Sequence, residues 1–174
     1  DEFQNAAEEF GIPKTKDFNT GDNHGCGYFQ VTQKDGFRCS TAVGYLNPIK
    51  NRKNLEIITN AHVKKINFEN KTAREIEFWQ DKELKKVQAK REIIISSGAI
   101  GSPQILQVSG IGNPEKLKNL GIETVKDLNG VGENLHDHLM LRPIYKINGL
   151  KSLNKKIISL FGNLMIGLEY VFKR

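Results

Sequence analysis

Apolar and polar residues alternate most regularly between positions 63 and 89. Val63, Ile66 and Phe68 stand out from charged neighbours, Ala73 to Trp79 reads A-R-E-I-E-F-W, and Leu84 to Ala89 alternates through Val87. Alternation at period two gives a strand one apolar and one polar face, so this stretch predicts three half-buried strands. Polar turns at Glu69-Asn70-Lys71 and Gln80-Asp81-Lys82 join them into an antiparallel meander. Two less polar runs bracket it. Leu55 to Thr59 is a short strand broken by Asn60-Ala61-His62, and Ile93-Ile94-Ile95 is a run of three β-branched residues. A run that is apolar on both faces suits a strand buried on two sides, as in a parallel sheet. Leu55–Thr59 and Ile93–Ser96 are therefore expected as neighbours in one sheet, with the meander as a separate small layer.

Helical spacing and turn residues frame this β-rich centre. Ala6, Ala7 and Phe10 predict the end of a helix within the first twelve residues, stopped at Gly11-Ile12-Pro13. Asp17 to Gly27 is a loop rich in Asp, Asn and Gly. Tyr28 to Thr32 reads as a strand, Lys34-Asp35-Gly36 as a hairpin turn, and Ser40 to Leu46 as a short helix closing near Asn47-Pro48. Beyond the isoleucines, Ser102-Pro103 reads as an N-cap with proline at the first helical position. That helix stops at Gly112. Asn113-Pro114-Glu115 starts another that ends at Gly121, and Ile122 to Val125 is briefly extended. A glycine-punctuated loop follows from Asp127 to His138, then an extended segment from Leu139 to Ile147. From Ser152 onward, Ile157, Ile158, Phe161, Leu164, Met165, Leu168, Val171 and Phe172 fall on one broad helical face.

Composition narrows the classes. The chain has 174 residues, 38% hydrophobic and 26% charged, which suits a globular domain with a core of its own. Its net charge is +6, but 26 basic residues are interspersed with 20 acidic ones and no aromatic–basic interleaving accompanies them. A nucleic-acid role is therefore set aside, while long-range attraction of an anionic cofactor remains. Cys26 and Cys39 match no zinc or redox spacing. No apolar run approaches the roughly 18 residues of a membrane-spanning helix. The acidic start without Met or signal core, and the end inside an apparent helix, give the expectation of a fragment.

The candidate chemistry centres on the turn after Ile95. Ser96-Ser97-Gly98-Ala99 is built of small side chains, so another group can approach its backbone closely. A helix N-terminus beside such a turn favours anions; an ordinary strand–turn–helix connection reads the same way. His62 reads as a structural histidine beside a strand. His136-Asp137-His138 lacks the further ligands that a metal site needs, so no metal is assigned.

The run Gly98 to Gly112, G-A-I-G-S-P-Q-I-L-Q-V-S-G-I-G, resembles the second signature of the glucose–methanol–choline flavoprotein oxidoreductases. Gly130 to His138, G-V-G-E-N-L-H-D-H, is similar to a further segment of that family. The stretch from Asp17 through K-D-G-F-R-C-S resembles its choline-dehydrogenase-like branch, as does Y-K-I-N-G-L-K-S-L-N from Tyr145. The resemblance implies an α/β (mixed α+β) fold: part of an FAD-binding Rossmann-like domain with an inserted antiparallel meander, plus pieces of a substrate domain. It divides the chain into 1–50, a substrate-side or cap segment, 51–138, part of the FAD-binding domain, and 139–174, the start of the substrate domain. FAD is the implied cofactor. The implied binding residues are Val63, whose backbone contacts adenine, the turn Ser97, Gly98 and Ala99, and Asn134, Asp137 and His138, which brace the cofactor region. His136 stands where the family usually has Gln, so no catalytic role is given to it.

The family's G-x-G-x-x-G turn and its catalytic histidine do not occur in this sequence, and no catalytic residue is assigned. The implied activity is alcohol or choline oxidation by hydride transfer to the flavin, with an alcohol as substrate and oxygen or a quinone as acceptor. The isolated chain is expected to bind FAD weakly and to oxidise no alcohol. A non-catalytic flavin- or nucleotide-binding domain is the alternative. The expected location is cytoplasmic. Between a domain-joining helix and a membrane-surface helix using Lys155, Lys156, Lys173 and Arg174, the reading takes the first, with peripheral membrane contact as the alternative.

Overall fold

The computed structural model describes residues 1–146, 149 and 153–173, apart from the side chains of Lys155 and Lys173. Ile147, Ser152 and Arg174 lie outside the described residues, as does most of the run from 147 to 152. The chain divides into two compact units, one of residues 1–56 with 146–174 and one of residues 57–145.

In the first unit, helix α1 (Glu2–Glu9) ends where the sequence places its stop. Gly11 N donates to the Glu8 carbonyl and Ile12 N to the Ala7 carbonyl, so two terminal carbonyls are satisfied as the chain turns. Strands β1 (Gln33–Lys34) and β2 (Phe37–Arg38) form the expected hairpin. Its turn residues Asp35 and Gly36 have φ 52° and 73°, the left-handed pair that matches strand twist. Ala42–Leu46 is a short π-helical turn, with Val43 N donating to Ser40 Oγ at 3.3 Å. Tyr28 to Thr32 does not form the expected strand. Tyr28, Phe29 and Val31 are exposed, and Phe29 instead meets Phe18 with ring centroids 5.8 Å apart.

The second unit holds the meander. Strands β3 (His62–Glu69), β4 (Thr72–Gln80) and β5 (Glu83–Gln88) run antiparallel in the order β3-β4-β5. Both connections are two-residue turns, Asn70-Lys71 and Asp81-Lys82, all four at φ between 50° and 67°. One face carries Ile66, Ile76 and Phe78; Ile66 and Phe78 are buried. The other face carries a polar ladder. Asn67 Nδ2 donates to Glu75 at 2.8 Å and Glu77 at 3.0 Å, and Lys86 Nζ lies 3.1 Å and 3.0 Å from the same two carboxylates. Lys64, the extra residue of a bulge between Val63 and Lys65, adds a second cation 3.3 Å from Glu77.

Helix α2 (Gly98–Val108) packs against β3. The joint is made by Ser109, which is buried: Oγ accepts from Ile66 N at 2.8 Å and donates to the Ile105 carbonyl at 2.6 Å. An edge-strand amide that would otherwise be buried without a partner is satisfied in this way. Gly110 follows at φ 89°, and a Cβ there would lie 2.5 Å from the Glu123 carbonyl. That close approach lets β6 (Ile111–Gly112) pair in parallel with β7 (Lys126–Asp127). Between them, α3 (Pro114–Asn119) starts as the sequence indicates, Asn113 Oδ1 accepting from Lys116 N at 3.1 Å, and buries Leu117.

Three expectations are corrected. Leu55–Thr59 and Ile93–Ser96 form no strand and are not sheet neighbours among the described residues. Ile57, Ile58 and Ile94 are exposed, Ile94 at 76%. β-branched residues favour extended backbone, but propensity alone makes no ladder, and among the described residues neither run pairs with a strand edge. Finally, α2 begins at Gly98 instead of Ser102. Ser102 Oγ accepts from Ser97 N at 3.1 Å, which ties the first turn together and leaves Pro103 inside the helix.

In the first unit the chain ends in α4 (Leu153–Ile157) and α5 (Leu160–Lys173). Tyr170 OH donates to the Gly36 carbonyl, and its ring meets Phe37 edge-on at 6.5 Å. Leu160, Phe161, Val171 and Phe172 are exposed. No helix among the described residues is long and apolar enough to cross a membrane.

Candidate functional site

Two clefts open on either side of α2, and helical periodicity decides which residues line each. Gly101, Ile105 and Val108, spaced four and three apart, line a cleft of about 420 Å³ with Val63, Trp79 and Ser97. Ile100, Pro103 and Gln107, at the same kind of spacing, line a cleft of about 590 Å³ with Ala99, Asn134 and His136. Gln104 reaches both. Each volume lies in the range of small-molecule sites.

The first cleft follows a backbone edge. Four successive residues, Ala61 to Lys64, line it. Side chains of a strand alternate between faces, so such a run lines a cleft only along the strand's edge. β3 is an outer strand, and the groups on its open side can read a ligand by backbone hydrogen bonds.

The second cleft depends on how the loop Gly130–Glu133 is held. Gln107 Nε2 donates to the Val131 carbonyl at 3.0 Å. Gly132, at φ 81°, passes so close that a Cβ there would lie 2.5 Å from the same nitrogen. Only glycine meets both demands. Asn113 Nδ2 donates to Asn129 Oδ1 at 2.7 Å, and Lys116 pairs with Glu133. Asn134 is in the left-handed region at φ 55°, and His136 Nδ1 lies 2.7 Å from its carbonyl oxygen.

Between the clefts lies the start of α2. Gly98, Ala99 and Ile100 are exposed, and the first amides of a helix have no intrahelical acceptor. Small side chains, amide donors and the positive end of the helix dipole make this junction suitable for an anionic linker.

The structure thus brings Val63 together with Ser97, and Ala99 together with Asn134. Gly98 begins the helix between these pairs. Asp137 and His138 line neither cleft; Asp137 Oδ1 accepts from His138 N at 2.7 Å. Sequence reasoning did not single out Trp79, Gln104 or Gln107. Projecting Gly98–Val108 on a helical wheel separates the two lining sets.

The strongest local electrostatics lie on the meander. Glu77 is 6% exposed and its carboxyl is held down to about 2, chiefly by the Asn67 hydrogen bond, then by Lys86 and Lys64. Asn67 and Lys86 lower Glu75 as well, and the Lys86 ammonium is raised by Glu77 and Glu75. Among the described residues, no buried side-chain nitrogen or oxygen lacks a partner. This cluster fixes the sheet that carries Val63 and Trp79.

A family model described as GMC oxidoreductase matches residues 1–140. The chain is 44% identical over 98% of its length to an oxygen-dependent choline dehydrogenase of Chromohalobacter salexigens, of which it covers 31%. It is 38% identical, also over 98%, to the mitochondrial choline dehydrogenase of Homo sapiens, covering 29% of that protein. The chain therefore spans about a third of the length of these curated relatives. Among solved structures it resembles an FAD-dependent oxidoreductase from Chaetomium thermophilum, with TM-score 0.72 and 33% identity, over 78% of this chain and 24% of that one. A formate oxidase is similar with TM-score 0.68 and 28% identity, over 76% of this chain and 23% of that one.

Proposed function

The chain belongs to the GMC oxidoreductase family, and from that premise we propose that it is part of an FAD-dependent enzyme oxidising CH–OH groups, with choline or a related small alcohol as substrate. When bound, FAD supplies an acceptor for the hydride that leaves the alcohol carbon. The residues of this chain hold and orient it. The open edge of β3 at Val63 offers backbone groups to the adenine. Ser97, Gly98 and Ala99 let backbone approach the diphosphate side, where the α2 amides and dipole favour negative charge. Asn134 sits in the cleft beyond, held there by Gln107 and Gly132, and Asp137 and His138 brace the loop that leaves it.

The observation that carries this reading is the junction itself: the signature run forms the helix that separates two clefts and lines both. We assign 51–138 to part of the cofactor-binding domain, 1–50 to a substrate-side or cap segment, and 139–174 to the start of the substrate domain. The relatives' names support a choline-type substrate and, for the bacterial ones, oxygen as the electron acceptor.

Anaerobic addition of choline or a simple alcohol to the full-length FAD-bearing enzyme that contains this chain tests the proposal. Bleaching of the flavin absorbance, reversed by air, is the expected result. A protein that holds FAD and is reduced by none of these alcohols would be a flavin-binding domain without this activity.

A further inference from the structure

Trp79 is the chain's one tryptophan. It stands near the end of β4, opposite His62 on β3 and Leu84 on β5. Phe78 beside it is 6% exposed and belongs to the core, whereas Trp79, on the opposite face, is 41% exposed. A large aromatic surface left open there adds little to the packing of the sheet, whose core lies on the Phe78 side.

The open indole borders the cleft that runs along Val63. His62, its cross-strand partner, borders the same cleft. Lys64, the long cationic side chain of that wall, is engaged with Glu77. Across the cleft stand Gly101, Gln104 and Ile105 of α2. A strand edge can read only the rim of a purine, through its donor and acceptor atoms. The flat face of the ring needs a flat partner, and aromatic side chains supply one for any base.

We infer that Trp79, with His62 beside it, is the stacking wall that receives the purine ring of the bound dinucleotide, an assignment that rests on the flavoprotein reading above. Val63 then sets the orientation of the base in its plane, and Trp79 fixes the plane. Trp79 is a specificity residue for a purine-bearing cofactor and takes no part in hydride transfer.

Titration of ADP into the chain tests this with calorimetry and tryptophan fluorescence in parallel, because all indole emission comes from Trp79. ADP should bind and quench the emission saturably, and inorganic pyrophosphate should leave it unchanged. Trp79→Leu should weaken ADP and FAD roughly tenfold to a hundredfold, the range expected for losing one stacked base. Trp79→Phe, which keeps a smaller π-face and the strand propensity, should lose less. ADP binding without quenching, or an unchanged dissociation constant in a folded Trp79→Leu, would overturn the assignment. Should Trp79→Leu not fold, quenching in the unaltered chain and the Trp79→Phe constant decide the matter. An FAD complex weakened by Ala99→Leu but indifferent to Trp79→Leu would sink the stacking wall and leave the cofactor reading standing. Failure of the unaltered chain to bind either FAD or ADP would sink both.

Discussion

The meander strands and the run Ile93–Ser96 are built from similar side chains, yet they end in different states. β3, β4 and β5 pair along nearly their whole lengths and bury Ile66 and Phe78. Ile93–Ser96 carries a denser β-branched run, but it pairs with no described strand and leaves Ile94 76% exposed. The difference is the availability of a partner. Each meander strand meets the next after two turn residues, so little loop entropy opposes the pairing. The isoleucine run has no such neighbour in sequence. β-propensity proposes an extended segment, and a second edge must accept it.

The largest expected contrast comes from truncating one residue in each region. Phe78→Ala should lower stability by about 3–5 kcal/mol, as for a buried aromatic, while Ile94→Ala should change it by less than about 0.5 kcal/mol. Urea midpoints measure both, and equal losses would erase the comparison. Next comes the joint between sheet and helix. Ser109→Ala leaves the buried Ile66 amide without its acceptor and should cost about 1–3 kcal/mol, with faster hydrogen exchange at Ile66. Protection unchanged at that amide would show that α2 is not fastened to β3 through Ser109.

A smaller and more local effect is expected at Gly132→Ala, where a Cβ meets Gln107 in backbone that disfavours it. The cost should be about 1 kcal/mol or more, concentrated in faster exchange across residues 130–134. The smallest effect is the pH response of the meander. Because the folded Glu77 carboxyl sits near 2 against an ordinary 4.5, its contribution is fully present above that ordinary value. It is lost as pH falls through the window from 4.5 toward 2. Asn67→Ala removes the largest cause, so its Glu77 carboxyl should titrate higher by NMR and its stability should fall less steeply in that window. An unmoved Glu77 titration would mean that the lysines alone hold it down.

What the sequence revealed follows the same division. The two turns at 70–71 and 81–82, the hairpin at Asp35-Gly36 and the start of α3 at Asn113-Pro114 were legible because each is decided by residues adjacent in the chain. The beginning of α2 was not, since Ser102-Pro103 imitates a helix start while the Ser97 amide reaches Ser102 and begins the helix earlier. The proposed cofactor residues Val63, Ser97, Ala99 and Asn134 were named from the family motif. Their separation into two clefts was not legible, because it depends on Ser109 fixing the rotation of α2 against the edge of β3. Trp79 and Gln107 became visible as cleft residues only once that rotation was known.

The central claim is that the start of α2 is where the backbone meets FAD, with a cleft on each side. Ala99 lines one of those clefts with a single methyl group. Ala99→Leu should fill that space without touching the meander core, so its fold and its urea midpoint should stay close to those of the unaltered protein. The flavin-to-protein absorbance ratio of the purified full-length protein is the direct measurement. The account predicts a clear fall in that ratio for Ala99→Leu with the fold intact. A ratio equal to that of the unaltered protein would contradict it.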